Sequence, residues 1–218
     1  MPTVPPRPRP APVVLDGRYA RLEPLAEAHA PDLFAASAAP GADRRFAYLF
    51  DTPPHDLQAM RAWIAAAVAA QEQLYSAVID KATGRAAGRQ SLMRIVPEHG
   101  VIEIGNILWG PGIARTRVAT EALYLAARHA FDDLGYRRFE WKCNDLNEPS
   151  KSAARRFGFA YEGLFRQHMW VKGANRDTAW FSMLDSEWPG FRREYERWLA
   201  PANFDAAGKQ LSRLQIRP

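Results

Sequence analysis

Residues 110–123 read GPGIARTRVATEAL, and this stretch decides the fold. An apolar run over residues 101–109 ends in Trp109 and enters Gly110-Pro111-Gly112. Two arginines then flank Thr116, and apolar residues recur at helical spacing, with Leu123, Ala127, Ala130 and Phe131 on one stripe. The periodicity predicts a helix over about 118–134, with Gly135 suited to the position just past its end. A second strand is predicted over 138–143. A strand, a helix and another strand in this order make a right-handed crossover, so the two strands run parallel. The turn between strand and helix has the makings of a phosphate site, because backbone N–H groups converge at a helix start. Its two arginines read equally well as solvated surface side chains.

Working outward, residues 13–22 form a first strand broken by the Asp16-Gly17 turn, and residues 25–38 a helix with Pro31 near its first turn. Residues 44–50, RRFAYLF, read as an aromatic loop ended by Pro53-Pro54. A helix over 56–71 carries Leu57, Met60, Ile64, Ala67 and Val68 on one stripe. Strands follow over 75–80 and 86–96. Beyond the crossover come a short helix over 149–157, strands over 162–171 and 178–184 around a turn at 172–177, and a helix over 189–199. The pattern predicts an α+β fold. Its mixed, mostly antiparallel sheet has a central, splayed parallel pair, and helices cover both faces.

The chain has 218 residues, 47% of them hydrophobic, enough for one domain with a sizeable core. The expected organisation is a disordered Pro-rich arm over 1–12, which holds six prolines, one domain over 13–200, and a tail over 201–218. Net charge is +5, but Arg7 and Arg9 contribute two charges and the tail two more, leaving the middle at +1. A nucleic-acid binder concentrates charge on its folded face, so that class is disfavoured. The start lacks the apolar core of a signal peptide, and no run approaches a membrane span. The single cysteine, Cys143, reads as a buried small hydrophobe in a cytoplasmic protein, and the five histidines have no metal spacing.

The element order resembles the GNAT acyltransferase superfamily, and most closely its ribosomal-protein N-terminal acetyltransferase branch. The resemblance covers residues 13–187. It rests on ATEAL (119–123), AF (130–131), LGYRR (134–138), Asn147-x-x-Ser150, FGF (157–159) and EG (162–163). It implies an acyl-coenzyme A cosubstrate, most simply acetyl-coenzyme A, lying where the two parallel strands splay and with its pyrophosphate on the turn. The residues it assigns to the coenzyme are Ile107 and Trp109 on the strand, Ala114, Arg115, Thr116, Arg117, Val118, Ala119 and Thr120 at the turn and helix start, and Asn147 and Ser150. The family pattern Gln/Arg-x-x-Gly-x-Gly/Ala falls here on Ala114, Arg117 and Ala119, so an arginine stands at the usual glycine. Phosphate would then be held by helix-start N–H groups or by the arginines. The resemblance also implies a homodimer.

Amide formation needs a neutral amine and a route for protons. Glu103 is the first candidate base, with an ion-paired glutamate as its competing reading. Glu140 is the second, although strand alternation sets it beside Lys142 for a structural ion pair. His168 is a third. The family's tyrosine acid falls on Ala154. The branch's substitute is Ser150, which also suits a helix cap. Asn147 suits a cap as well as the coenzyme. For the acceptor, Arg45, Phe46, Tyr48, Arg89, Trp170 and Trp180 are candidates, with core packing the competing role for the tryptophans. Together these predict an N-acyltransferase acting on a peptide N-terminus, amino acid or small metabolite. A larger acyl group such as succinyl, or a non-catalytic coenzyme A sensor, are the alternatives.

Overall fold

The structure is a computed structural model that describes residues 5–216. The outermost residues of the predicted arm and tail, 1–4 and 217–218, lie outside the described residues. Eight strands form one hydrogen-bonded sheet in the order β1-β2-β3-β4-β5-β6-β8-β7, mostly antiparallel with one parallel pair. They are β1 (Leu15–Asp16), β2 (Ala20–Pro24), β3 (Leu74–Asp80), β4 (Arg85–Val96), β5 (Val101–Trp109), β6 (Arg138–Asn144), β7 (Ala160–Val171) and β8 (Ala174–Leu184). The helices are α1 (Ala30–Ala38), α2 (Ala42–Phe46), α3 (Leu57–Ala69), α4 (Arg117–Arg128), α5 (Glu148–Arg156) and α6 (Trp188–Leu199). The described residues form two compact units, one of Arg9–Ile95 and Glu103–Ala126, the other of residues 5–8, 96–102 and 127–216.

In the first unit, α1 and α3 cover one face of the β2-β3-β4 sheet. Leu33, Met60 and Ile64 pack there on Ala77, Ile79 and Ala86. Asp56 starts α3 by accepting a hydrogen bond from the Ala59 N–H at 2.7 Å. Val68, expected on the buried stripe, is 56% exposed. The stripe of α3 is narrower than predicted and ends at Ala67, two residues before the helix itself stops at Ala69.

Between β3 and β4 the register slips. Val78 lies opposite Gly88 but Ile79 lies opposite Ala86, which leaves Ala87 as an extra residue. Such a bulge reverses the alternation of side chains. Ala86 and Arg89 therefore both face α3, where Arg89 lies over the Trp63 ring at 4.1 Å. Gln90 points to the other face and donates to the Ala122 carbonyl of α4 at 3.0 Å. The Ala87 carbonyl accepts from Gly110 N–H at 2.9 Å, and a Cβ at Gly110 would sit 2.7 Å from that oxygen. Glycine at 110 is thus required by close approach.

Two local predictions are corrected. The aromatic loop contains the short helix α2, since the Arg45 guanidinium donates to the carbonyls of Ser37, Ala39 and Pro40 at the end of α1. A cation there satisfies orphan carbonyls and folds the chain back, which buries Phe46. The predicted six-residue turn between the last strands is only Lys172-Gly173. Both residues have positive φ, 52° and 75°, the signature of a tight two-residue hairpin, so β8 begins at Ala174.

In the second unit, β6 pairs with β8 and β8 with β7, all antiparallel. A π-helical stretch, His129–Asp133, precedes Gly135. Helix α6 buries Trp188, Phe191, Tyr195 and Trp198. The Trp188 ring stacks on Phe131 at 5.2 Å, and Trp188 Nε1 donates to Asp132 at 2.7 Å. Arm and tail residues take part in this unit: Arg7 N–H donates to the Pro97 carbonyl at 3.0 Å, Tyr136 Oη donates to the Pro8 carbonyl at 3.2 Å, and Ile216 is buried. No helix among the described residues is long and apolar enough to cross a membrane.

Candidate active site

The turn after β5 is held from within. The Gly110 carbonyl accepts from the Ile113 and Ala114 N–H groups. Thr116 donates its hydroxyl to the Ile113 carbonyl at 2.7 Å and accepts from the Val118 N–H at 3.2 Å. Thr116 is thus the N-cap of α4. Arg115 is exposed and sits in the left-handed region at φ 64°. Arg117, at the usual glycine position, is the first residue of α4, and its guanidinium lies over the Tyr19 ring at 4.3 Å. Val118, Ala119 and Thr120 are buried, and Thr120 donates to the Thr116 carbonyl. On β5, Ile107 is half-buried and Trp109 Nε1 donates to Gln90 Oε1 at 3.3 Å.

Beneath the helix start lies a contact that the sequence did not announce. Glu121, 4% exposed, accepts from three successive N–H groups, those of Arg18, Tyr19 and Ala20. It ties the β1–β2 turn to α4 across more than 100 residues of chain.

Glu103 on β5 is buried, and both its oxygens accept from Arg94 Nη1 at 2.9 Å. Three residues on, Asn106 takes a positive φ of 49°. Its side chain donates to Gln73 at 2.6 Å and Tyr75 Oη at 2.9 Å, and its carbonyl accepts from Arg89 Nη1 at 3.3 Å. Burial pushes the Tyr75 phenol up from its ordinary pKa. Burial also lowers the Arg89 pKa, and the charge of Asp51 opposes that shift. Arg89 donates to Asp51 through Nη2. Beside this pair is a cavity of about 290 Å³, lined by residues that include Phe46, Phe50, Asp51, Met60, Trp63 and Arg89. Of the acceptor candidates, the structure brings Phe46 and Arg89 to this cavity. Arg45 turns to backbone carbonyls, and Tyr48 is half-buried outside the lining. The sequence reading missed Asp51 and Trp63.

The second unit carries the other candidates. Asn147 caps α5 by accepting from Ser150 N–H at 3.2 Å. Ser150 Oγ accepts from Trp141 Nε1 at 3.0 Å. Glu140 is held by Lys142 and Arg138, each at 2.7 Å. Lys142 Nζ also lies 3.7 Å from the centre of the Trp180 ring. Trp180 packs on Phe165 at 4.4 Å, whereas Trp170 is 80% exposed. His168 is bonded to Thr178 Oγ1 at 3.0 Å. Cys143 is buried, which pushes its thiol up. No group of three or more metal-ligating side chains occurs among the described residues.

The profile described as "Acetyltransferase (GNAT) domain" matches residues 20–160. The chain belongs to the GNAT acetyltransferase family. A solved GCN5-related N-acetyltransferase from Brucella melitensis is 56% identical, with a TM-score of 0.94 and 96% of each chain covered. The uncharacterized N-acetyltransferase p20 of Bacillus licheniformis is 32% identical over 117 residues, 52% of this chain and 63% of p20. A Bacillus subtilis protein named as a candidate ribosomal N-acetyltransferase, YdaF, is 32% identical over 73 residues, 34% of this chain and 40% of YdaF. The match spans less than two thirds of both Bacillus proteins.

GNAT enzymes generally use acetyl-coenzyme A, and the turn suits its diphosphate. Residues 110–118 contain two arginines and no carboxylate, and they lead into a twelve-residue helix whose dipole favours an anion at this end. An arginine at the usual GNAT glycine is accommodated because Arg117 has a helical backbone and its side chain packs on Tyr19. The residue with the strained φ is Arg115.

Proposed function

We propose that the protein is an acetyl-coenzyme A-dependent N-acetyltransferase acting on a primary amine of a peptide N-terminus, amino acid or small metabolite. The observation that carries this reading is the capped, carboxylate-free turn 110–117 feeding α4 within a GNAT domain. Bound acetyl-coenzyme A supplies an acyl group activated as a thioester. Backbone N–H groups of the turn and Arg115 hold the diphosphate. The amine must lose a proton before its lone pair can attack, and Glu103 receives that proton through water. The Arg94 partner fixes the carboxylate in place. The test is thiol release from acetyl-coenzyme A against a panel of primary amines. Release that depends on amine confirms transfer, whereas tight coenzyme binding with no release on any amine would identify a sensor.

Two smaller predictions follow from the local geometry. Arg117→Ala should leave the acetyl-coenzyme A Kd within about threefold in calorimetry, since the side chain packs on Tyr19 and a cation–π contact is worth about 0.5–1 kcal/mol at exposed sites. A loss of about tenfold or more would place the guanidinium on phosphate instead. Asn147→Ala should cost about 1 kcal/mol in denaturant unfolding through loss of the α5 cap.

A further inference from the structure

The cavity beside Arg89 combines an unusual set of walls. Its charged groups are Asp51 and Arg89, and Phe46, Phe50, Met60 and Trp63 supply apolar and aromatic surface. The two charges are not equally available. The Arg89 side chain is 3% exposed and lies between Trp63, the Asn106 carbonyl and Asp51. The Asp51 side chain is 25% exposed, and only its Oδ2 takes the arginine. Its Oδ1 carries no hydrogen bond among the described residues. What the cavity offers a cationic ligand is therefore one carboxylate oxygen amid aromatic rings, with Ser37, Thr52 and His55 as the other polar lining residues. A carboxylate on the ligand would have to displace Asp51 to reach Arg89 and would face Asp51 itself. A polyamine would find a single acidic group, already balanced by Arg89. At about 290 Å³ the space lies at the small end of ligand pockets.

We propose that this cavity takes a primary amine borne on an aromatic or branched apolar body, with no carboxylate next to the amine. The ammonium is held by Asp51 Oδ1 and the apolar body by Phe46, Phe50 and Trp63. Arg89 is a positioning residue that orients Asp51. The assignment rests on the acceptor being an amine, as proposed above, and it narrows that amine's class.

The experiment is calorimetric titration of the full chain, with and without coenzyme A. The probes are 2-phenylethylamine, phenylalaninamide, phenylalanine and spermidine. The first two should bind at least about tenfold more tightly than the last two. Asp51→Asn should weaken both by at least about tenfold. Ala59→Trp, which fills the cavity from α3 and retains both members of the ion pair, should do the same and carries the test if Asp51→Asn does not fold. Equal binding of all four probes, no binding of the first two in either condition, or unchanged affinity in Ala59→Trp would overturn the assignment. Binding with this pattern but no acetyl transfer would reject the transferase and keep the cavity's ligand. Transfer to amines that is indifferent to Ala59→Trp would do the reverse.

Discussion

Glu121→Ala is expected to cost about 3–5 kcal/mol, a large share of the roughly 5–15 kcal/mol that stabilises a typical domain. The carboxylate accepts from three consecutive N–H groups at the β1–β2 turn, and the Ala20 N–H among them is buried. Hydrogen bonds to a charged group contribute about 1.5–3 kcal/mol each, and a buried donor left without a partner costs about 1–3 kcal/mol. The sum is moderated because Arg18 is exposed and Tyr19 only partly buried, so water can reach their amides in the variant. Glu121→Gln should fall between wild type and alanine. It keeps one carbonyl oxygen but turns an NH₂ group toward backbone donors. Urea unfolding of all three proteins checks this. A loss under about 1 kcal/mol for alanine would show that the triple contact is replaced by water at little cost.

Glu103→Gln is expected to lower kcat by about a hundredfold or more while leaving the KM for acetyl-coenzyme A nearly unchanged. General-base catalysis contributes about 10²–10⁴-fold, and the amide cannot take a proton. The substitution is nearly isosteric. The arginine left behind, Arg94, is 40% exposed and can be hydrated, so stability should change little. That separation matters, because an ion-paired structural glutamate would give the opposite result, lost stability with kcat intact. An unchanged kcat would remove Glu103 from the chemistry.

The parts of this fold that were legible in the sequence are those written in periodicity. Strand β5 falls at the predicted 101–109, and the stripe Leu123, Ala127, Ala130 and Phe131 is buried as expected. Spacing fixes such elements because each buries one regular face. The missed features depend on partners far away in the chain. Helix α2 exists because Arg45 reaches carbonyls of the preceding helix, and five residues have no periodicity to read. Asp51 looked like the end of an aromatic loop until Arg89, 38 residues later, was found against it. Glu121 belonged to a recognised run of residues, yet its backbone partners lie 101–103 positions upstream. The competing roles weighed for Glu103 and Glu140 are each visible in part, since both carboxylates are ion-paired.

The single extra residue at Ala87 makes this part of the protein sensitive to chain length rather than to residue type. Upstream of Ala86, an insertion at the β3–β4 hairpin tip would only lengthen an exposed loop. Inserting one residue between Ala87 and Arg89 would turn Arg89 toward α4 and Gln90 toward α3, and deleting Ala87 would withdraw the carbonyl that anchors Gly110. The cavity beside Arg89 and the turn after β5 are thus indexed to one count along β4. Relatives of this chain should vary freely in hairpin length but keep the number of residues from the bulge to Arg89 constant, whatever side chain occupies the bulge itself.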